Sequence, residues 1–127
     1  MWENLGKYSM IAVGGALGAM ARYWVGGVVA ARLGGSFPYG TLVVNATGSL
    51  VLGCFMAMAA ERLLSSNWRL FVAIGFAGAY TTFSTFEYEM YMLIEEGSWL
   101  RAVANVVLSV GICFAALAGG IVLGRRI

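Results

Sequence analysis

The 127-residue chain contains no histidine and only two cysteines. Histidine is the commonest general base near neutral pH and the commonest metal ligand, so its absence disfavours acid–base catalysis and zinc-type sites. Cys54 and Cys113 both lie inside apolar segments. There they are expected to be small buried hydrophobes rather than redox or metal-binding groups. An enzyme is therefore the least expected class of protein.

Charge is also scarce. Charged residues make up 11% of the chain and hydrophobic residues 61%, whereas a soluble domain averages about 25% and about 45–50%. The sequence therefore predicts a membrane protein that crosses the bilayer several times and contacts lipid. The net charge of +2 is spread over loops and ends, so no nucleic-acid partner is expected. The N-terminus lacks a basic region and a cleavage site, so no signal peptide is expected.

Apolar segments of membrane-spanning length follow one another along the whole chain. A bilayer core about 30 Å thick needs about 20 apolar residues per helix. We therefore predict an all-α membrane protein in which residues 1–127 form a single four-helix transmembrane domain. The predicted spans are residues 8–31, 41–60, 69–94 and 99–123, with connections at 32–38, 61–68 and 95–98. The third span is expected to be broken near its middle, at about Gly78.

Two further patterns concern orientation and packing. Five basic residues fall on the side of the termini (Lys7, Arg62, Arg69, Arg125, Arg126) and two on the opposite side (Arg32, Arg101). The positive-inside rule then favours cytoplasmic termini. Small residues cluster in the first, second and fourth spans, which lets helix backbones approach closely. About half of these glycines are expected to pack within one subunit and the other half at a subunit interface.

The third span carries a polar and aromatic run, residues 81–86, in the middle of apolar sequence. Helix-weakening glycines precede it, and a backbone group freed inside lipid must find a partner within the protein. Phe83 and Phe86 share a helix face, and the positive ring edges of phenylalanine can solvate an anion. Thr82, Ser84 and Thr85 interleave with them. The run therefore predicts the lining of an aqueous path or an ion site.

Two polar residues in the first two spans each admit two interpretations. Arg22 either snorkels beside aromatic residues or attracts anions in an aqueous vestibule. Asn45 either joins two helices by a hydrogen bond or offers amide donors to a passing anion.

In the fourth span, Asn105, Ser109 and Cys113 recur every four residues and draw a polar stripe down one face. The alternative is that their side chains only bond back to their own helix. Glu87 and Glu89 lie on opposite sides of their helix. We expect them near the membrane interface and assign them no role.

Together these residues resemble the small bacterial fluoride channels of the Fluc or CrcB family. The match covers nearly the whole chain and is most specific in the third span. It comprises Gly14 to Ala19 with Arg22 and Tyr23, Gly40 to Leu42 with Asn45 and Gly48, and Gly75 to Gly78 leading into Thr81 to Glu87. In the fourth span the chain departs from the family pattern, because Cys113 and Ala116 stand where the family's polar stripe often continues with hydroxyl residues.

The resemblance implies an antiparallel, dual-topology homodimer with two fluoride pores. It implies a structural sodium ion (Na⁺) at the dimer centre, held by the backbone carbonyls of Gly78 and Thr81 from both subunits. It assigns Phe83 and Phe86 to the pore walls, Asn45 to a pore amide donor and Arg22 to a vestibule. The implied function is passive export of fluoride across the inner (cytoplasmic) membrane, which confers fluoride resistance.

Two other classes compete with a channel. A small multidrug-type, proton-coupled exporter is also a four-helix, dual-topology dimer, but it needs a membrane-embedded carboxylate, and residues 8–31 contain none. A structural subunit of a larger complex would not explain phenylalanines and threonines interleaved after a helix break.

Overall fold

The computed structural model describes residues 2–62 and 64–127 and is helical over most of them. Its elements are α1 (Trp2–Leu33), α2 (Tyr39–Glu61), α3, α4 (Phe83–Glu95) and α5 (Trp99–Gly124). Helix α3 begins as α-helix at Ser66–Arg69, continues as π-helix over Leu70–Ala77 and ends with the short α-helix Gly78–Tyr80. Met1 and Leu63, the latter within the predicted loop 61–68, lie outside the described residues.

Two helix ends follow directly from local sequence. Helix α1 stops before Gly34 and α4 stops before Gly97, and both glycines have positive φ, 79° and 73°. A left-handed residue just past a helix is where glycine is favoured, because it has no Cβ to clash. At the second end, Ser98 N–H donates to the Leu93 carbonyl at 2.8 Å. The predicted connections at 32–38 and 95–98 are therefore confirmed.

Two of the described helices, Tyr39–Glu61 and Trp99–Gly124, are long and apolar enough to cross a membrane. The two parts of the third predicted span, residues 66–80 and 83–95, are each shorter than the roughly 20 residues that one crossing needs. They could reach across a bilayer only in series. Crossings by α1 and by this pair stay predictions.

Two hydrogen bonds show how the ends of α2 and α5 lie relative to each other. The Arg101 guanidinium donates to the Ser36 carbonyl at 3.3 Å, which joins the α1–α2 connection to the start of α5. Arg62, just past the end of α2, donates to the carbonyl of Ile127 at the C-terminus. Helices α2 and α5 therefore run in the same direction.

Glycines set the distance between α2 and α5. A Cβ added to Gly53 would meet the Leu117 carbonyl oxygen, and one added to Gly120 would meet the Leu50 carbonyl oxygen, both inside van der Waals contact. On the other side of the bundle, Gly14 and Gly18 of α1 allow equally close approach to the π-helical segment. In lipid, such small-residue contacts let helices pack where the hydrophobic effect does not drive them together.

Other helical glycines face open space within one subunit. A Cβ on Gly26, Gly27, Gly111 or Gly119 would meet no heavy atom of another described residue within 4 Å. The expected packing role is thus confirmed for one set of glycines. An interface role for the other set stays a prediction.

Candidate ion pathway

The third span is broken near its middle, as predicted, but at Thr81 and Thr82, three residues after Gly78. Gly78 has helical angles, φ −63° and ψ −34°. Thr81 (φ −75°, ψ 155°) and Thr82 (φ −149°, ψ 114°) are extended. The predicted break was therefore placed one turn too early. Glycine weakens a helix, but here it does not mark where the helix ends.

Asn45 of α2 explains where the helix ends. Thr82 N–H donates to Asn45 Oδ1 at 2.7 Å, and Asn45 Nδ2 donates to the Thr82 carbonyl at 3.0 Å. In an uninterrupted α-helix the Thr82 N–H would donate to the Gly78 carbonyl. The Asn45 amide takes over both backbone groups of Thr82, so it joins α2 to the break. The helix-joining interpretation of Asn45 is confirmed, and its role as a pore donor stays a prediction.

Thr82 also begins the next helix. Its hydroxyl accepts a hydrogen bond from the Thr85 backbone N–H at 3.3 Å and contacts the Thr85 hydroxyl at 2.9 Å. A threonine at this position satisfies one of the free N–H groups of the first helical turn. The run of hydroxyl residues thus both restarts the helix and places polar atoms beside the break.

A groove of about 280 Å³ lies next to the break, and we call it the aromatic groove. It is lined by Asn45, Ser49, Leu52, Thr81, Thr82, Phe83, Phe86, Ser109, Val110 and Cys113. Among the side chains that the structure describes, those lining the groove are uncharged. The groove therefore combines hydroxyl, amide and thiol groups with two phenylalanine rings.

The two phenylalanines contact each other as their spacing predicts. Their ring centroids are 5.6 Å apart and the ring planes are inclined at 39°. Phe86 is buried, with 8% of its surface exposed, whereas Phe83 is 70% exposed within a single subunit. Phe86 thus has a packed environment in one chain, while Phe83 presents most of its ring outward.

The polar stripe of α5 only partly reaches the aromatic groove. Ser109 and Cys113 line it, whereas Asn105 does not. The Ser109 hydroxyl donates to Asn105 Oδ1 at 3.3 Å, so the stripe is connected along the helix. Asn105 is 2% exposed, and its Nδ2 has no hydrogen-bond partner among the described residues. A buried donor of this kind is costly unless it meets another ligand.

A larger cleft, about 1090 Å³, opens on the other side of Thr82, and we call it the polar cleft. Its charged lining residues are Arg22, Glu89, Glu96 and Arg101, and Thr41 and Thr85 also line it. Thr82 lines both the cleft and the aromatic groove. The structure therefore places Arg22 at an open cleft, and its role as an anion-attracting vestibule residue stays a prediction.

Sequence reasoning missed the pairing of Thr41 with Glu89. The Thr41 hydroxyl donates to Glu89 Oε1 at 2.7 Å, and Glu89 Oε2 is buried without a described partner. Helical spacing could have placed Glu89 on the face of Thr85, because it lies four residues later, but it could not have paired Glu89 with Thr41. Glu87 is exposed on the opposite side, as predicted, and Ser84 is exposed as well.

The described residues contain no group of three or more His, Cys, Asp or Glu side chains that could hold a metal ion. Oxygen atoms at the break are the remaining candidates. The Gly78 carbonyl loses its helical donor because Thr82 N–H bonds to Asn45. The Thr81 hydroxyl donates to the Ala77 carbonyl at 2.9 Å, so this side chain is already engaged within α3.

Comparisons with a family model and with individual proteins point to the same family. A family model described as "CrcB-like protein, Camphor Resistance (CrcB)" matches residues 9–121. A fluoride-specific ion channel FluC of Methylococcus capsulatus is 50% identical over 125 residues, 98% of this chain. This chain spans only about half (54%) of that relative's length.

Two further relatives have nearly the same length as this chain. A fluoride-specific ion channel FluC of Sulfurihydrogenibium sp. is 46% identical over 95% of this chain and 98% of its own length. One from Solibacter usitatus is 45% identical over 94% and 99%. The resemblance inferred from the sequence is confirmed, and the chain belongs to the CrcB-like family.

Proposed function

We propose that this protein is a fluoride channel that lets the anion leave the cell passively. The observation that carries the proposal is the aromatic groove beside the helix break. It offers uncharged hydrogen-bond donors and ring edges in one narrow space. Fluoride is small and strongly hydrated, so it needs close donors to replace its water. The relatives' name, fluoride-specific ion channel, supports the same ion and a transporter rather than an enzyme.

The expected pathway runs from the polar cleft into the aromatic groove. Arg22 attracts the anion to the cleft, and Thr82 and Thr85 offer hydroxyls where the two spaces adjoin. Ser109 and the unpartnered amide donor of Asn105 continue the path along α5. Ser84 is included by its place in the motif. The proposal assigns the edges of Phe83 and Phe86 the role of holding the ion without a full positive charge.

The driving force is the membrane potential. Moving one elementary charge through 100 mV changes its free energy by about 2.3 kcal/mol. A negative cell interior therefore drives fluoride outward without ATP hydrolysis. In this proposal each subunit crosses the inner membrane four times, and α3 and α4 together form the third crossing. A proton-coupled exporter receives no support from the relatives' names.

The assembly that we propose is an antiparallel homodimer. Within one subunit, Phe83 is 70% exposed and Gly78 is exposed in the last turn of α3. A Cβ on Gly78 would meet only the Ala73 carbonyl oxygen, at 3.8 Å. Contacts within a single chain explain neither feature. Both are explained if the helix break of a second subunit crosses the break of the first. Two breaks meet in this way when the copies are related by a two-fold axis in the membrane plane.

The break also suits a sodium ion. Carbonyl oxygens stripped of their helical partners must be satisfied inside the membrane, and rings of carbonyls are typical ligands of monovalent cations. The carbonyls of Gly78 and Thr81, from both subunits, would hold it. When bound, the ion would offset the partial negative charges of these carbonyls and join the two chains.

Fluoride release from proteoliposomes tests the function. With a potassium gradient and valinomycin, we expect fluoride to leave the vesicles and chloride, in a parallel experiment, to be retained. A proton uncoupler should not change the rate, because no proton takes part. In a cysteine-free background, a cysteine at the exposed position of Asn67 should react with an impermeant reagent from both sides. Equal passage of chloride and fluoride would refute the proposal.

A pair of substitutions tests the sodium site. We expect Thr81→Ala to keep sodium binding within about threefold of wild type, since one hydrogen bond contributes little net free energy and the carbonyl remains. Gly78→Val should abolish it, because the side chain would enter the space of the second break. Isothermal titration of detergent-solubilised dimers with sodium measures both. Gly35→Val, at an open glycine in the α1–α2 connection, is the control. Equal loss in Thr81→Ala and Gly78→Val would instead make the Thr81 side chain the ligand.

A further inference from the structure

Tyr80, the last helical residue before the break, is fixed in place by groups from two helices. Its side chain is buried, with 6% exposed, although its hydroxyl is polar. The ring stacks on Phe76, with centroids 5.6 Å apart and planes inclined at 9°. The hydroxyl lies 2.8 Å from Thr47 Oγ1 of α2.

The direction of this hydrogen bond follows from the other contacts of Thr47. The Thr47 hydroxyl donates to the Val43 carbonyl one turn earlier, at 2.7 Å. Its proton is thus engaged, and its oxygen accepts from the Tyr80 hydroxyl. The resulting chain runs from Tyr80 through Thr47 to the α2 backbone. A buried phenol needs such a partner, since leaving its hydroxyl unsatisfied is costly.

Gly48 makes room for this arrangement. A Cβ at Gly48 would lie 2.9 Å from Tyr80 Cδ1 and would overlap the methyl group of Thr81. Three residues of α2 therefore contact the end of α3 and the break. Thr47 contacts Tyr80, Gly48 adjoins Thr81, and Asn45 contacts Thr82. The backbone of Thr81 lies between two residues that are each hydrogen-bonded to α2.

We propose that the Tyr80–Thr47 hydrogen bond is a positioning device that fixes the Thr81 carbonyl for cation binding. The inference rests on the sodium site of the proposed function and adds two residues outside that ligand set. The stacked ring is held at its far end by Thr47, so the backbone of residue 80 cannot rotate freely about the end of α3. Loss of the hydroxyl would leave the fold in place but loosen the adjacent carbonyl.

The test measures sodium binding by thermal stability, because a ligand that binds only the folded state raises the melting temperature. Purified dimers are titrated with sodium, with N-methyl-D-glucamine as the replacement cation. We expect Tyr80→Phe and Thr47→Val each to raise the sodium Kd, fitted from the rise of melting temperature with sodium concentration, by about 2- to 10-fold, the range of one net hydrogen bond. The double variant should match Tyr80→Phe alone, and Thr47→Ser should resemble wild type. Tyr91→Phe, at an exposed tyrosine, is the control.

A merely structural role predicts a different result. The melting temperature without sodium would fall in Tyr80→Phe while the fitted sodium Kd stayed at the wild-type value, and that outcome would overturn the inference. Additive effects in the double variant would overturn it too. So would a wild-type melting temperature that does not respond to sodium. Fluoride efflux from wild-type vesicles is a separate measurement, so failure of this inference is distinguishable from failure of the channel proposal.

Discussion

Replacing Asn45 by aspartate is expected to reduce fluoride efflux by about a hundredfold. The carboxylate would keep an acceptor for Thr82 N–H but would lose the donor to the Thr82 carbonyl. It would also place a negative charge in the wall of the aromatic groove. Two unit charges about 5 Å apart interact by roughly 3 kcal/mol at an effective dielectric constant of 20. An anion would therefore meet a new barrier of that order.

Asn45→Ala should be less severe than Asn45→Asp. It frees both backbone groups of Thr82 but adds no charge, and the adjoining groove can admit water to them. Efflux from proteoliposomes, normalised to the amount of dimer, measures both variants. Asn67→Asp, the same chemical change at an exposed position in the first turn of α3, controls for charge alone. An alanine variant more impaired than the aspartate variant would mean that Asn45 acts only by joining α2 to the break.

Removing an aromatic ring edge from the groove is the second change expected to lower fluoride efflux strongly. We expect Phe83→Ile and Phe86→Ile each to lower fluoride efflux by about 2- to 10-fold, since one aromatic contact contributes on the order of 0.5–1.5 kcal/mol and each variant removes one ring edge. Isoleucine keeps apolar bulk at either position, so gel filtration should still give a dimer. Only the positive ring edge is removed.

Phe114→Ile provides a matched control. Phe114 of α5 is 71% exposed, almost the same as Phe83 at 70%, but it lies outside the aromatic groove. If Phe83 only packed against lipid or a neighbouring helix, the two isoleucine variants would behave alike and both would transport nearly normally. A defect in Phe83→Ile without one in Phe114→Ile would locate the effect in the groove.

Several features of the protein follow from the sequence alone. The apolar composition and the small number of charges predict a membrane protein, and Gly34 and Gly97 mark two helix ends where positive φ excludes most side chains. The spacing of Phe83 and Phe86 predicts their contact, because residues three apart share a helix face. The motif around residues 81–86 sufficed to identify the family. These are local properties, so periodicity and backbone sterics decide them.

The tertiary structure decides where the third helix ends and which polar groups meet. Local propensity favours a break near Gly78, yet the helix continues to Tyr80, because Asn45, 37 residues earlier in the chain, binds both backbone groups of Thr82. The pairings of Thr41 with Glu89 and of Thr47 with Tyr80 likewise join residues far apart in sequence. In a medium with few competing hydrogen-bond partners, a freed backbone group takes whichever side chain the packing of helices brings to it. That choice depends on how α2 lies against the break, and the sequence of either segment by itself does not contain it.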